Sequence, residues 1–235
     1  MEDSSNRDLG VTRAPTARSW RVGTGVRGHE RLLTRAGLGP VAGCDEAGRG
    51  ACAGPLVAAA VILDDSAQRR ILGLADSKRL TARTRDRLFD EITDRARAVS
   101  WAVVTAAECD RLGMQEADIQ GLRRASYRLA VRPGYVISDG FAVDGLDCGN
   151  VGMWKADAVC ACVSAASIVA KVVRDRMMVD LDARLPGYDF AVHKGYATKL
   201  HQQRLEALGP CPEHRLTYAM CVERLEFLHH EHRGS

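Results

Sequence analysis

Residues 56–63 read LVAAAVIL, an unbroken run of eight apolar residues in a chain of 235. A short apolar run that contains several β-branched residues suits a strand buried on both faces. Such a strand needs a packed layer on each side, which predicts a sheet flanked by helices. The hydrophobic fraction of 46% and the charged fraction of 27% are ordinary for a globular protein, so a sizeable core can form.

The other predicted elements alternate along the chain. Further strands are predicted at 40–46, 101–105 and 135–140. Helices are predicted at 29–36, from the N-cap Thr81 onward, and at 115–131, 164–185, 199–208 and 215–229. Small alanines in the helix at 164–185 would let it pack closely on the sheet. The fold class is therefore predicted to be α/β, with a mixed β-sheet flanked by helices and a C-terminal helical extension.

The N-terminal segment differs from the rest of the chain. Residues 1–28 are rich in Arg, Ser, Thr and Gly and have no apolar period, which predicts a mobile arm. Residues 1–40 hold seven Arg against four acids, so they account for the whole formal net charge of +3. A polyanionic partner would be attracted by this arm and by local patches. We expect one domain over 29–200 and the helical extension over 201–235.

Several classes of protein are excluded by simple patterns. The sequence has no long apolar segment and no signal-peptide pattern, so we expect a cytoplasmic protein without a membrane partner. The eight cysteines form no paired CxxC knuckles, and a reducing cytoplasm disfavours disulfides. Cys211, His214 and Cys221 form one suggestive cluster, but it lacks a fourth ligand, so zinc is not predicted.

Acidic side chains stand at the ends of predicted elements. Asp45 and Glu46 close one strand, Asp139 closes another, and Asp157 precedes the helix at 164–185. One strand-terminal Asp is commonly a turn residue. Ligands, however, collect at the carboxyl ends of strands in α/β sheets, and converging carboxylates need a cation to offset their repulsion. The pattern favours hard dications such as Mg²⁺, two of which, about 4 Å apart, can activate water for phosphodiester hydrolysis.

Adjacent side chains in a strand point to opposite faces. Asp45 and Glu46 can therefore both reach one metal site only if the strand ends at Glu46, and we expect the glycine turn that follows to end it there.

A set of short motifs adds to this hypothesis: DEAGRG at 45–50 with GP at 54–55, DSK at 76–78, SDG at 138–140, SAASIVAKVVRD at 164–175 and HKGY at 193–196. Their order and separations resemble ribonuclease HII over residues 40–218. The resemblance implies a ribonuclease H-like fold and a metal-dependent endonuclease. It would cut the RNA strand of RNA–DNA hybrids and incise 5′ of single ribonucleotides in duplex DNA, leaving 3′-OH and 5′-phosphate ends.

The resemblance also implies a catalytic and metal-binding set. Asp45, Glu46, Asp139 and Asp157 would hold Mg²⁺ or Mn²⁺, with two ions when substrate is bound. Lys155–Ala156–Asp157 stands where the family usually has lysine-glycine-aspartate. This departure would displace one metal more than it would abolish the fold.

The substrate-binding set implied by the resemblance comprises Gly48, Arg49, Gly50, Lys78, Lys194, Tyr196 and Lys199. Glycines 48 and 50 would let the backbone approach the 2′-OH that distinguishes RNA from DNA. Tyr196 would stack on the deoxyribose after the ribonucleotide, and the lysines would contact phosphates. The alternatives are a glycine turn with a solvated arginine, a core tyrosine and solvated lysines. His193 and His201 stay open as groups that assist proton transfer.

Two other functions stay in view. Ribonuclease HIII is similar, but it normally carries an additional N-terminal domain, for which residues 1–40 are too short and too polar. A catalytically silent nucleic-acid-binding module on the same fold would be favoured by the loss of any of the four acids. We expect a monomer whose partners are RNA–DNA hybrids and duplex DNA containing ribonucleotides.

Overall fold

The computed structural model of the protein describes residues 27–74 and 77–222. Its centre is a five-stranded sheet with the order β3-β2-β1-β4-β5. The strands are β1 (Val41–Ala47), β2 (Leu56–Ile62), β3 (Ala98–Val104), β4 (Tyr135–Asp139) and β5 (Gly149–Met153). β2 pairs antiparallel with β1 and β3, whereas β1, β4 and β5 run parallel. The predicted mixed sheet is confirmed.

The helices are α1 (Gly28–Arg35), α2 (Ala82–Arg95), α3 (Ala106–Leu112), α4 (Met114–Tyr127), α5 (Ala156–Val159), α6 (Ala161–Arg184), α7 (Phe190–His193) and α8 (Lys199–Leu208). Two short 3₁₀ segments lie at Ala67–Arg69 and Ser77–Arg79. Thr81 caps α2 as predicted, since its side chain accepts a hydrogen bond from the Thr84 N–H at 3.2 Å. In the described part of the chain, no helix is long and apolar enough to cross a membrane.

Long helix α6 covers one face of the sheet. Ala165, Ala166 and Ala170 are fully buried there, as the small residues predicted. The approach is so close that a Cβ on Gly43 of β1 would lie 2.2 Å from backbone atoms of α6. Any side chain at position 43 would therefore push the helix off the sheet.

Helix α4 covers the opposite face, where Leu122 and Ala125 pack against β1 and β2. Residues of β1 face the two helices alternately. Val41 and Ala47 belong to the apolar cluster on the α6 side, and Ala42 and Cys44 belong to the apolar cluster on the α4 side. Asp45 therefore lies on the α6 face and Glu46 on the α4 face.

Several boundaries differ from the sequence prediction. The expectation that the first strand ends at Glu46 is wrong, because Ala47 still pairs with Val57 of β2. The helix predicted at 115–131 ends at Tyr127. β5, α3, α5 and α7 were not predicted, since each is short and has no strong apolar period.

The C-terminal part is helical, but the helix predicted at 215–229 begins only at residue 219. Residues before it form a turn because Asp110 of α3 accepts hydrogen bonds from the N–H groups of Leu216 and Thr217 at 2.7 and 3.2 Å. The predicted arm at 1–28, apart from its last two residues, and the tail after 222 lie outside the described residues.

Candidate active site

The carboxylates converge at one edge of the sheet. The parallel strands β1 and β4 are neighbours, and Cys44 of β1 pairs with Ser138 of β4. Asp45 and Asp139 follow this pair and stand side by side at the carboxyl ends of the two strands. Glu46 interacts electrostatically with both of them. The structure therefore brings together three of the four predicted acids from two chain segments.

Asp45 is the most deeply buried of these three. Burial raises the pKa of its carboxyl well above the usual value, and Glu46 and then Asp139 raise it further. A hydrogen bond from Ser167 of α6 opposes this rise in pKa, as does the Glu46 N–H, which donates to Asp45 Oδ1 at 2.8 Å. Ser167 in turn contacts the hydroxyl of Ser77 at 2.8 Å. Ser77 of the DSK motif and Ser167 of the SAAS motif thus meet beside Asp45.

Glu46 lies on the other face and is half-buried. Burial raises the pKa of its carboxyl, while a hydrogen bond with Asp45 and the charge of Arg49 lower it. The two acids lie on opposite faces of β1, yet a hydrogen bond between their side chains keeps the two carboxyl groups in contact.

The segment that carries Asp157 is tied to Asp139. Asp139 Oδ1 accepts a hydrogen bond from the Ala156 N–H at 2.7 Å, and Lys155 adopts a left-handed conformation with φ of 56°. Ser164 Oγ donates to the backbone carbonyl of Asp157, which joins α5 to α6. Asp157 is 6% exposed. Lys155–Ala156–Asp157 therefore reaches the same sheet edge despite its alanine.

Within residues 27–74 and 77–222, no group of three or more His, Cys, Asp or Glu side chains is placed so that it could hold a metal ion by itself. This is compatible with Mg²⁺-type chemistry, in which one or two carboxylates bind the ion together with waters and substrate phosphates. The buried Asp45 and Glu46 carry raised pKa values, and a dication would offset the repulsion that contributes to them. The oxygen donors present therefore fit a hard divalent cation.

The glycine loop 48–50 follows β1 directly. Gly48 has φ of +95°, and a Cβ there would lie 1.9 Å from Arg174 Nε, so only glycine fits. A Cβ on Gly50 would meet no heavy atom within 4 Å, so Gly50 faces open space. Arg215, fully buried, donates to the carbonyls of Gly48 and Arg49 at 2.8 and 3.2 Å. The loop is therefore held from inside and open on its outer side.

The Arg49 side chain lies on the α4 face, beside Glu46. Its Nε is 3.5 Å from Oδ2 of Asp118, a fully buried residue of α4. Burial, and then the charge of Glu46, raise the pKa of Asp118 to about 8, while Arg49 lowers it. Arg49 is thus fixed by side-chain contacts, which argues against a merely solvated arginine.

Tyr196 lies next to the glycine loop. An isolated antiparallel bridge pairs it with Ala51, and the Gly195 carbonyl accepts a hydrogen bond from the Cys52 N–H at 2.9 Å. Its side chain is exposed, with the guanidinium of Arg174 centred 5.3 Å from the ring centroid. Tyr196 is therefore a surface residue of the candidate site and not a core tyrosine.

The three predicted lysines differ in setting. Lys194 is half-buried, and burial lowers its pKa. Lys78 is exposed beside Ser77, and Lys199 is exposed at the first residue of α8. Lys171 of α6 makes an i,i+4 ion pair with Asp175 at 2.7 Å. The cations shown beside the Tyr196 ring are Lys171, whose Nζ lies 5.7 Å from the ring centroid, and Arg174.

His193 and His201 are buried, and their rings stack with centroids 4.1 Å apart. His201 Nδ1 donates to the Tyr196 carbonyl at 3.0 Å, so in the neutral ring Nε2 accepts, at 3.1 Å, from His214 Nε2. Burial lowers the pKa of His201 and of His214 to about 4. These histidines brace the Tyr196 loop, and neither His193 nor His201 faces the carboxylates.

The cysteines play no visible part in the site. All eight are free thiols, and six are buried. Cys211 Sγ is 3.1 Å from His214 Nδ1, whereas Cys221 packs with Cys52 and Leu205 in a separate apolar cluster. The structure thus does not gather Cys211, His214 and Cys221 into a metal site.

Sequence reasoning missed two residues that shape the site, Arg215 and Asp118. Arg215 stands in a polar segment, and nothing in the sequence marks it as buried. Asp118 carries a usable signal: it stands on the apolar stripe of α4, one helical turn before Leu122. An acid on a buried stripe needs a partner, which here is Arg49.

Comparison with known proteins identifies the family to which the chain belongs. A family model described as Ribonuclease HII matches residues 42–221. Ribonuclease HII of Cutibacterium acnes (strain DSM 16379 / KPA171202) is 71% identical over 202 residues, or 86% of this chain and 98% of that protein.

Two solved structures illustrate the likeness in three dimensions. The ribonuclease H2 from Pyrococcus horikoshii OT3 has a TM-score of 0.68 and 29% identity, over 80% of this chain and 98% of that one. Bst-RNase HIII in complex with Mn²⁺ has a TM-score of 0.56 and 23% identity, over 80% and 69% of the two chains, which is a likeness of fold alone.

The family match spans the sheet, both covering helices and the Tyr196 loop, and it favours ribonuclease HII over ribonuclease HIII. The chain belongs to the ribonuclease HII family, whose members are endonucleases that hydrolyse RNA in RNA–DNA hybrids.

Proposed function

We propose that this enzyme hydrolyses the RNA strand of RNA–DNA hybrids and also incises duplex DNA on the 5′ side of a single embedded ribonucleotide. One observation carries this proposal. The carboxyl groups of Asp45 and Glu46, which interact with each other, are followed directly by the open glycine loop 48–50 at the end of β1. A ribose bound at the loop would lie beside the groups that act on its phosphate.

The four acids, Asp45, Glu46, Asp139 and Asp157, are proposed to hold Mg²⁺ or Mn²⁺, with two ions in the substrate complex. The bound cations would activate water and stabilise the leaving oxygen. The burial of Asp45 and its hydrogen bonds from Ser167 and the Glu46 N–H hold its carboxylate in one orientation. The products would be 3′-OH and 5′-phosphate ends.

Recognition is proposed to use the loop backbone and Tyr196. Because Arg215 engages the carbonyls of Gly48 and Arg49, we expect the outer backbone groups around Gly50 to contact the 2′-OH. Tyr196 would stack on the following deoxyribose. Arg49, Lys78, Lys194 and Lys199 would contact the phosphates, which position the duplex without reading its bases.

The organisation of the protein is also part of the proposal. We propose a catalytic domain over 29–200, an extension over 201–235, and an arm over 1–28 that adds electrostatic attraction to nucleic acid. The enzyme would act as a monomer in the cytoplasm. Sedimentation equilibrium at micromolar concentration, with and without an RNA–DNA hybrid, measures the oligomeric state.

A cleavage assay on four matched substrates tests the activity: an RNA–DNA hybrid, double-stranded RNA, double-stranded DNA and single-stranded RNA. We expect cleavage of the hybrid RNA strand alone, with loss of cleavage when EDTA is added and recovery with Mg²⁺ or Mn²⁺. Binding of the hybrid without cleavage under any metal would identify a silent binding module instead.

A further inference from the structure

A buried carboxylate with no assigned role lies beneath the glycine loop. Asp118 of α4 has no exposed surface, and neither carboxylate oxygen has a hydrogen-bond partner within the described part of the chain. The nearest positive charge is Arg49, whose Nε is 3.5 Å from Asp118 Oδ2. A buried polar group without hydrogen bonds is costly and requires an explanation.

Arg49 is held on two further sides. Its Nη2 donates to Gln115 Oε1 at 2.8 Å, and its guanidinium carbon lies 5.4 Å from the ring centroid of Phe141. Gln115 stands one helical turn before Asp118, and Phe141 stands two residues after Asp139. The contact with Asp118 uses Nε and the contact with Gln115 uses Nη2, so Nη1 takes part in neither of these two contacts. The side chain is 43% exposed, so part of the guanidinium faces outward.

Glu46 adds a second negative charge that holds the Arg49 side chain in place. Glu46 and Asp118 repel each other electrostatically, and Arg49 attracts both. If Arg49 moved away, two acids on one face of the sheet would be left without the cation that offsets their charges. Asp118 therefore opposes any departure of Arg49 from its place above α4.

We propose that Asp118 is a positioning residue for substrate recognition, which fixes the Arg49 side chain so that its free edge receives a phosphate oxygen next to the ribonucleotide. The inference rests on the proposed substrate contact of Arg49. The Arg49 backbone is anchored separately, by Arg215 and by the hydroxyl of Tyr218. Loss of the Asp118 charge should therefore weaken recognition without dismantling the loop.

The test compares kcat and KM on duplex DNA with one ribonucleotide and on an RNA–DNA hybrid, for Asp118→Asn, Arg49→Ala and the double variant. Asn keeps the shape of the side chain and removes the carboxylate, and the kinetics are measured at pH 9, above the Asp118 pKa of about 8, where the wild-type side chain carries its charge. We expect Asp118→Asn to raise KM about tenfold on the single-ribonucleotide duplex, with kcat changed less than about threefold. Because Asp118 acts through Arg49, the double variant should be no worse than Arg49→Ala.

Two further variants complete the design. Asp86→Asn is the matched control, since Asp86 forms an exposed ion pair with Arg176 at 3.1 Å, and its kinetics should equal wild type. Arg49→Lys keeps a positive charge near Asp118 but lacks the Nε donor, and it should raise KM as Asp118→Asn does. Arg49→Lys also carries the test if Asp118→Asn does not fold.

Additive losses in the double variant would overturn the inference, as would an Asp118→Asn enzyme with a lower Tm and wild-type KM. Wild-type KM in Arg49→Ala on both substrates would instead remove the substrate contact on which the inference rests. The first two results leave the proposed role of the loop intact, so the two failures are distinguishable.

Discussion

Ala51 and Tyr196 form an isolated antiparallel bridge that joins the glycine loop to the HKGY loop. The Gly195 carbonyl reinforces the junction by accepting the N–H groups of Cys52 and Ala53 at 2.9 and 3.2 Å. Gly195 has φ of +77°, and a Cβ there would lie 2.2 Å from the Ala53 carbonyl oxygen, so the contact requires glycine. The loop proposed to contact the ribose and the loop that carries the proposed stacking residue are therefore joined to each other by backbone hydrogen bonds.

The two glycines of the loop should respond differently to alanine. Gly48→Ala places a Cβ against Arg174 at positive φ, so we expect a loss of about 2 kcal/mol or more in the free energy of unfolding. Gly50→Ala meets no atom, so we expect a change within about 0.5 kcal/mol but a severe loss of single-ribonucleotide incision. Urea unfolding and a cleavage assay on both variants measure the difference. Normal incision by Gly50→Ala would exclude close approach of substrate there.

Asp139→Asn should remove catalysis while keeping substrate binding. The amide can still accept the Ala156 N–H but lacks the charge that a dication needs, so we expect kcat to fall at least about 1,000-fold. Fluorescence anisotropy with a labelled hybrid should give a Kd close to wild type. Asp144→Asn is the control, since this exposed side chain follows the same strand. Near-normal turnover of Asp139→Asn would remove Asp139 from the metal-binding set.

Tyr196→Ala should impair single-ribonucleotide incision more than cleavage of long hybrids. Stacking on one base or sugar contributes about 1–3 kcal/mol, so we expect about a tenfold or larger loss in kcat/KM on the first substrate. Tyr196→Phe keeps the ring and should retain most activity. Because the side chain is exposed, the Tm of both variants should match wild type. An equal loss on both substrates would count against junction stacking.

The buried histidines predict a loss of stability in mild acid. His201 and His214 have pKa values lowered from 6.5 to about 4, mainly by burial. In the unfolded chain both histidines have a pKa near the ordinary value, so the unfolded state binds more protons than the folded state between about pH 6.5 and 4. Their contribution to stability is thus full above pH 6.5 and is lost as the pH falls toward 4.

Urea unfolding of wild type and His214→Gln at several pH values measures this effect. We expect the free energy of unfolding of the variant to fall less steeply with decreasing pH across this window. Parallel curves would show that His214 does not take up a proton on unfolding.

The sequence predicted the parts of the fold that depend on strong local patterns. LVAAAVIL forms β2, and all seven residues of that strand are buried. The alanines of α6 predicted its close packing, and the acids at strand ends predicted the convergence of Asp45, Glu46 and Asp139. β5 was missed because its residues, GNVGM, include two glycines and are mostly half-exposed, so neither apolar content nor alternation marks a strand.

Long-range polar contacts explain the rest. Arg215 looks like any surface arginine, yet the backbone carbonyls of Gly48, Arg49 and Gly54 make its burial favourable. Asp45 and Glu46 lie on opposite faces of the sheet because β1 still pairs with β2 at Ala47, one residue beyond the predicted end of the strand. That pairing depends on β2 and cannot be read from the residues around DEAGRG.

The most direct test of the account is to map the cut on duplex DNA that contains one ribonucleotide, with Mg²⁺, with Mn²⁺ and with EDTA. We predict one metal-dependent cut at the 5′ side of the ribonucleotide, with a 3′-OH that a DNA polymerase extends and a 5′-phosphate that a ligase accepts. A cut on the 3′ side with a cyclic phosphate, or cleavage that persists in EDTA, would contradict the proposed coupling of ribose recognition to the carboxylates.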